Sequence, residues 1–257
     1  MTFDAAWPMP LLRLFALLCS ALLALPLQAG EITVSAAASL TQVLRELGPL
    51  FEAAHPATRV QFNFGASGAL LTQIARGAPV DVFVSADQDS MDQAQKQRLL
   101  REGQRRDLLS NTLVLIVPGN ASLVPKMLQD LTLPRYARIA IGLPASVPVG
   151  RYTRSALESA GLWAALEPRM VGAIHVRQAL DYVARAEVDA AFVYATDAAL
   201  MPDRVKVAMT VPTAQPIRYP ISLLSAAPNP TEAARFIDFL FTPPAQAVFS
   251  RYGFGKP

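Results

Sequence analysis

The chain has 257 residues, 52% of them hydrophobic and 17% charged, with 23 Lys and Arg against 20 Asp and Glu for a formal charge of +3. That apolar content builds one large core or two modest ones and excludes a disordered chain. No run of Lys and Arg is longer than Arg105-Arg106, so the basic stripe that nucleic acid requires is missing and no nucleic-acid partner is expected.

Residues 11–27 (LLRLFALLCSALLALPL) form an apolar run that stops at Leu27-Gln28-Ala29. The run is shorter than the roughly 20 residues that span a bilayer. It closes on a Pro26 break and a small residue, the pattern of a secretory signal. Cleavage after Ala29 is expected, which makes residues 1–29 a signal peptide. Cys19, the one cysteine, leaves with it, so no disulfide, thiol nucleophile or thiolate metal site is expected in the mature protein.

From Glu31 onward, short β-branched runs alternate with amphipathic segments, the mark of βαβ units and an α/β fold. Strands are predicted at residues 32–35, 59–64 and 82–85, with helices at 40–54, 69–76 and 88–102. The first helix lines up Val43, Leu47, Leu50 and Phe51 as a core-facing stripe. A second set has strands at 112–117, 138–141 and 190–194 and helices at 152–160 and 177–186. Pro118-Gly119-Asn120 follows its first strand, and Pro212 and Pro216 precede a returning strand at 217–225. A helix at 231–241, Pro243-Pro244 and a short helix at 245–252 end the chain. The return predicts two lobes joined by two crossings, near Ser110-Asn111 and near 212–216. Lobe 1 comprises residues 30–111 and 215–257 and lobe 2 residues 112–214, each a mainly parallel sheet flanked by helices, with a ligand cleft between them.

Two corners in the first lobe share one design. In Ser35-Ala36-Ala37-Ala38-Ser39-Leu40 and in Phe64-Gly65-Ala66-Ser67-Gly68-Ala69, a strand runs through small residues to a serine at a helix start. A helix N-terminus presents unpaired N–H groups and the positive end of its dipole, so two such corners facing one cleft make an anion site. Either corner alone reads more readily as an ordinary N-cap. Lobe 2 offers comparable corners at Pro148-Val149-Gly150-Arg151-Tyr152 and at His175-Val176-Arg177, and Tyr194 ends an apolar strand with a phenolic O–H. The competing chemistry is a secreted hydrolase using Ser39 or Ser67, but Gly65-Ala66-Ser67-Gly68-Ala69 carries its glycines in the wrong frame for a nucleophile elbow. Asp81 and Asp87 read as structural, with Asp87 capping the helix that follows it.

In this order and spacing, Ala36-Ala37-Ala38-Ser39-Leu40, Gly65-Ala66-Ser67-Gly68, the run from Gly77 through Asp81 to Asp87, Val147-Pro148-Val149-Gly150-Arg151-Tyr152 and Val193-Tyr194-Ala195-Thr196-Asp197 resemble the molybdate-binding proteins that serve ABC importers, within the type II periplasmic receptors. The resemblance runs from Glu31 to the C-terminus. It implies a two-lobe periplasmic receptor without catalytic residues or cofactor, a monomer that hands its ligand to a membrane permease. It also implies a tetrahedral oxyanion, molybdate or tungstate, held without charged side chains. Carried over by motif, the contacts to the molybdenum oxyanion are the hydroxyls and amides of Ser39 and Ser67, the amides of Val149 and Val176, and the hydroxyl of Tyr194. The family commonly has Ala where Val149 stands and an acidic residue where His175 stands. Another oxyanion, such as sulfate or thiosulfate, or an organic acid is the alternative ligand.

Overall fold

The computed structural model describes residues 30–257; the expected signal peptide and Cys19 lie outside them. The first lobe opens with β1 (Gly30–Ala37), α1 (Thr41–Ala54), β2 (Thr58–Gly65), α2 (Ser67–Ala75), β3 (Val82–Val84), α3 (Gln88–Lys96) and β4 (Arg106–Asn111). The chain then passes to the second lobe, with β5 (Leu113–Pro118), β6 (Ile139–Gly142), α4 (Pro148–Ser159), α5 (Trp163–Leu166), β7 (Met170–Ala173), α6 (Val176–Ala184), β8 (Ala190–Tyr194), α7 (Ala195–Ala198) and β9 (Val205–Thr210). It returns through β10 (Ile217–Leu223) and ends in α8 (Pro230–Leu240) and α9 (Pro243–Arg251).

Each lobe is built on a five-stranded sheet, in the orders β2-β1-β3-β10-β4 and β7-β6-β8-β5-β9. The two-lobe α/β architecture is the expected one. The sheets themselves are mixed: β1 runs parallel to β2 and β3, and β6 to β7 and β8, while β10 and β5 are antiparallel to both their neighbours. The orders match strand for strand, and in each sheet the fourth strand arrives from the other lobe. β5 follows β4 directly, but pairs beside β8; β10 follows β9, but pairs beside β3. Two crossings result, between Asn111 and Leu113 and between Thr210 and Ile217.

Helices cover the sheets through apolar stripes. In α1 the buried face is Val43, Leu44, Leu47, Gly48 and Phe51, whereas Leu50, expected in the stripe, is 50% exposed. The buried arc centres on Leu47 and Phe51, which leaves Leu50 about a quarter-turn off it. Helix α3 stops at Lys96 instead of reaching residue 102: Arg98 takes a left-handed φ of 58°, and the chain turns so that Leu100 bridges to Leu224 beside the apolar cluster around Phe83 and Met91. Strands β4, β7 and β9, absent from the sequence prediction, lie at sheet edges.

Candidate functional site

The corners face each other across the cleft. Strand β1 ends at Ala37 and enters α1 through a single 3-10 turn, Ala38–Leu40. Ser67 opens α2 directly after β2, and Ala86 follows β3. In the second lobe Pro148-Val149 open α4, Val176 opens α6 and Tyr194 closes β8. These are the carboxyl ends of parallel strands, where open α/β sheets place ligands. Ser39, Ser67, Val149, Val176 and Tyr194 all line one cavity, walled otherwise by Ala37, Ala38, Gly65, Ala66, Ala86, Val147, Pro148 and His175. Its volume is about 10 Å³, room for one compact species and far below the roughly 300 Å³ and more of organic-ligand sites. A larger, open hollow of about 860 Å³ lies on the flank of lobe 1, but its Arg105 and Arg106 are already committed to Asp92 and Asp238.

Mostly small and apolar side chains wall the cavity, and backbone donors open onto it. The N–H groups of Ser67, Val149 and Val176 find no acceptor among the described residues, although these residues are at most 4% exposed. Buried helix starts without partners are rare in folded proteins, and these three converge on one small space. No Asp, Glu, Lys or Arg lines the cavity. His175 caps α6 through Nδ1, which accepts the Gln178 N–H at 3.1 Å; burial holds the ring below its ordinary pKa and therefore neutral at pH 7. Burial also pushes the Tyr194 phenol well above its ordinary range, so it remains an O–H. Its partner is the Ala86 carbonyl at a long 3.5 Å. The Ser67 Oγ accepts the Ala86 N–H at 3.0 Å, and the Ser39 Oγ lies 3.0 Å from the Tyr219 hydroxyl. Among the described residues neither serine has a histidine or carboxylate in hydrogen-bond reach, so neither has the base a nucleophile needs.

Two arginines hold the lobes together over the cavity. Arg151, in the first turn of α4, donates through Nε to Asp87 Oδ2 at 2.6 Å and through Nη2 to Ser90 Oγ at 2.9 Å, both in lobe 1. Asp87 also caps α3, accepting the Ser90 N–H at 3.2 Å, as the sequence suggests. Arg177, in the first turn of α6, donates to the Ser39 carbonyl at 2.9 Å across the cleft. Its Nε also lies 2.6 Å from Asp197 Oδ1, a close ion pair with the N–H aimed off the line of a hydrogen bond. The Gly68 N–H donates to the Ser146 carbonyl at 3.0 Å, a third tie between lobes.

Sequence reasoning selects the cavity residues but passes over Arg151 and Arg177 as ties, and over Ala86, Asn111 and Tyr219. One signal was available for the arginines. A cation in the first turn of a helix faces the unfavourable end of the dipole, so each implies an acidic partner or an anion nearby.

The model of the family described as bacterial extracellular solute-binding protein matches residues 32–255. The molybdate-binding protein ModA of Escherichia coli (strain K12) is 37% identical over 232 residues, covering 88% of this chain and 89% of that protein. The molybdate-binding protein ModA of Haemophilus influenzae is 31% identical over 230 residues, covering 88% and 90%. Among solved structures, the Azotobacter vinelandii periplasmic molybdate-binding protein superimposes with a TM-score of 0.77 at 26% identity, covering 88% of this chain and 99% of that one.

Proposed function

From the chain's place in the family of bacterial extracellular solute-binding proteins, to which it belongs, and from its donor-only cavity, we propose that it captures molybdate and delivers it to the membrane permease of an ABC importer. The observation that carries this reading is the small cavity of about 10 Å³ between the lobes, where the unpaired amides of Ser67, Val149 and Val176 and the hydroxyls of Ser39, Ser67 and Tyr194 converge without a charged side chain. Molybdate is a dianion with no proton at neutral pH, so it needs donors alone. An oxyanion that keeps a proton is better served by a site that also offers a carboxylate acceptor. Each hydrogen bond to the dianion is worth about 1.5–3 kcal/mol, and several together offset dehydration and closure. Micromolar affinity requires about 8 kcal/mol. Tungstate, nearly the same size, shares the site in this proposal, and fixed amides exclude smaller sulfate, which cannot reach all donors at once. Residues 1–29 are proposed as the export signal, and the receptor is proposed to work as a periplasmic monomer.

Isothermal titration against molybdate, tungstate, sulfate, thiosulfate and phosphate tests the proposal. Molybdate and tungstate are expected to bind at micromolar or lower concentration, with the others much weaker. Preference for sulfate or thiosulfate assigns the site to that anion, and no heat with any oxyanion removes the reading.

A further inference from the structure

The contact of 3.0 Å between Ser39 Oγ and the Tyr219 hydroxyl does not by itself say which oxygen donates. The groups behind Tyr219 do. Asn111 Oδ1 accepts the Thr112 N–H at 2.8 Å, which fixes the amide orientation. Asn111 Nδ2 then faces the Tyr219 hydroxyl at 3.1 Å and Thr196 Oγ1 at 2.9 Å, with one proton for each. Tyr219 thus receives a proton from Asn111 and has one of its own to give. Ser39 Oγ is its other hydrogen-bond partner among the described residues. Tyr219 is fully buried, and withholding that proton would leave an unsatisfied donor in the core. Burial also pushes its phenol well above the ordinary range, so it stays protonated.

We propose that Tyr219 and Asn111 are positioning residues that fix the Ser39 hydroxyl as a donor aimed at the bound oxyanion. The direction of donation runs from Asn111 to Tyr219 to Ser39, and the serine proton is left for the ligand. The proposal rests on the oxyanion reading of the cavity and deepens it. Ser67 follows the same logic by another route: the Ala86 N–H occupies its acceptor side at 3.0 Å and leaves its proton free. Both serines therefore meet the ligand as donors. Tyr219 lies on β10 opposite Leu109 of β4, immediately before a shift in the pairing of the two strands. Asn111 stands on the first crossing between lobes and also touches Thr196 of α7, so the residue that sets the polarity is part of the hinge.

A double-mutant cycle read by molybdate calorimetry tests this. Wild-type binding of molybdate first establishes the site. Tyr219→Phe is expected to bind about tenfold more weakly, the loss of roughly one hydrogen bond to a charged group. In a Ser39→Ala background the same change should cost nothing further. Asn111→Asp replaces a donor by an acceptor at equal size; the Tyr219 proton then turns toward the carboxylate and Ser39 toward Tyr219. A loss at least as large is expected, and with Ala at position 39 only the smaller part due to repulsion between the new carboxylate and the dianion should remain. A structural role would instead give losses that multiply across the cycle. Multiplying losses, or wild-type affinity in Tyr219→Phe or Asn111→Asp, overturn the proposal; should Tyr219→Phe fail to fold by circular dichroism, Asn111→Asp decides. A folded wild-type protein that binds no oxyanion overturns the underlying site instead.

Discussion

The Gly68 N–H and the Ser146 carbonyl meet across the cleft at 3.0 Å, backbone to backbone. A Cβ at position 68 would lie 2.7 Å from that carbonyl oxygen and 2.9 Å from the Ser146 Cα. Neither atom can swing away as a side-chain tip would, so the lobes would have to part. Gly68→Ala is expected to keep the ligand-free Tm within a few degrees and to weaken molybdate binding by about tenfold or more, since only the closed form is strained. Calorimetry and thermal shifts with and without ligand separate the two effects.

Arg177 and Arg151 should fail differently. Asp197 is fully buried beside Arg177, and Arg177→Met leaves its carboxylate without a cation, a loss of about 3–5 kcal/mol of stability. Asp87 keeps its contacts to Ser85 and to the Ser90 N–H when Arg151 is removed. Oδ2 of the buried Asp87 does lose its cation, so Arg151→Met is expected to cost some Tm, less than Arg177→Met, and also to act on ligand release, raising the off-rate about tenfold or more. Denaturant unfolding reports the first and stopped-flow release the second.

Ser39→Ala and Ser67→Ala should both weaken binding and both cost stability. Removing the Ser67 hydroxyl strands the buried Ala86 N–H, and removing that of Ser39 strands the buried Tyr219 proton, each worth about 1–3 kcal/mol. Denaturant unfolding measures both losses, and a Ser39→Ala variant of wild-type stability would contradict the donation from Tyr219 to Ser39.

Asp197 gives the pH dependence its sign. Burial pushes its carboxyl up to about 6, against the pull of Arg177 and of the Tyr194 N–H. The unfolded value is about 3.9. The folded protein holds this proton more tightly, so the group's contribution to stability is full below pH 4 and is lost as pH rises through about 6. The loss is on the order of 3 kcal/mol. Relative to Asp197→Asn, the wild type should fall in stability between about pH 4 and 6 and run parallel above 7. Parallel curves throughout would show that the carboxyl is unshifted.

The two serine corners were legible from a local rule, a strand, small residues, then a hydroxyl at a helix start, whereas Val149, Val176 and Tyr194 enter as contacts through the family resemblance. Tyr219 was not legible, since within the apolar run 217–223 it reads as core, and its partners Ser39 and Asn111 lie 180 and 108 residues away along the chain. Strands β4 (RDLLSN) and β7 (MVGA) escaped because edge strands are held by one neighbour and carry little alternation. The end of α3 was hidden for another reason. Arg98 adopts a left-handed φ without the glycine that usually announces one, and the pull on Leu100 comes from Leu224, far along the chain.

Strand β10, residues 217–223, is the piece between β3 and β4. Until it is made, the first sheet exists as two fragments, β2-β1-β3 and a lone β4. The lobe that begins at Gly30 therefore cannot complete itself during synthesis, and it waits for nearly the whole polypeptide. The order of strands thus keeps the front of the molecule unfinished until its tail has been translated.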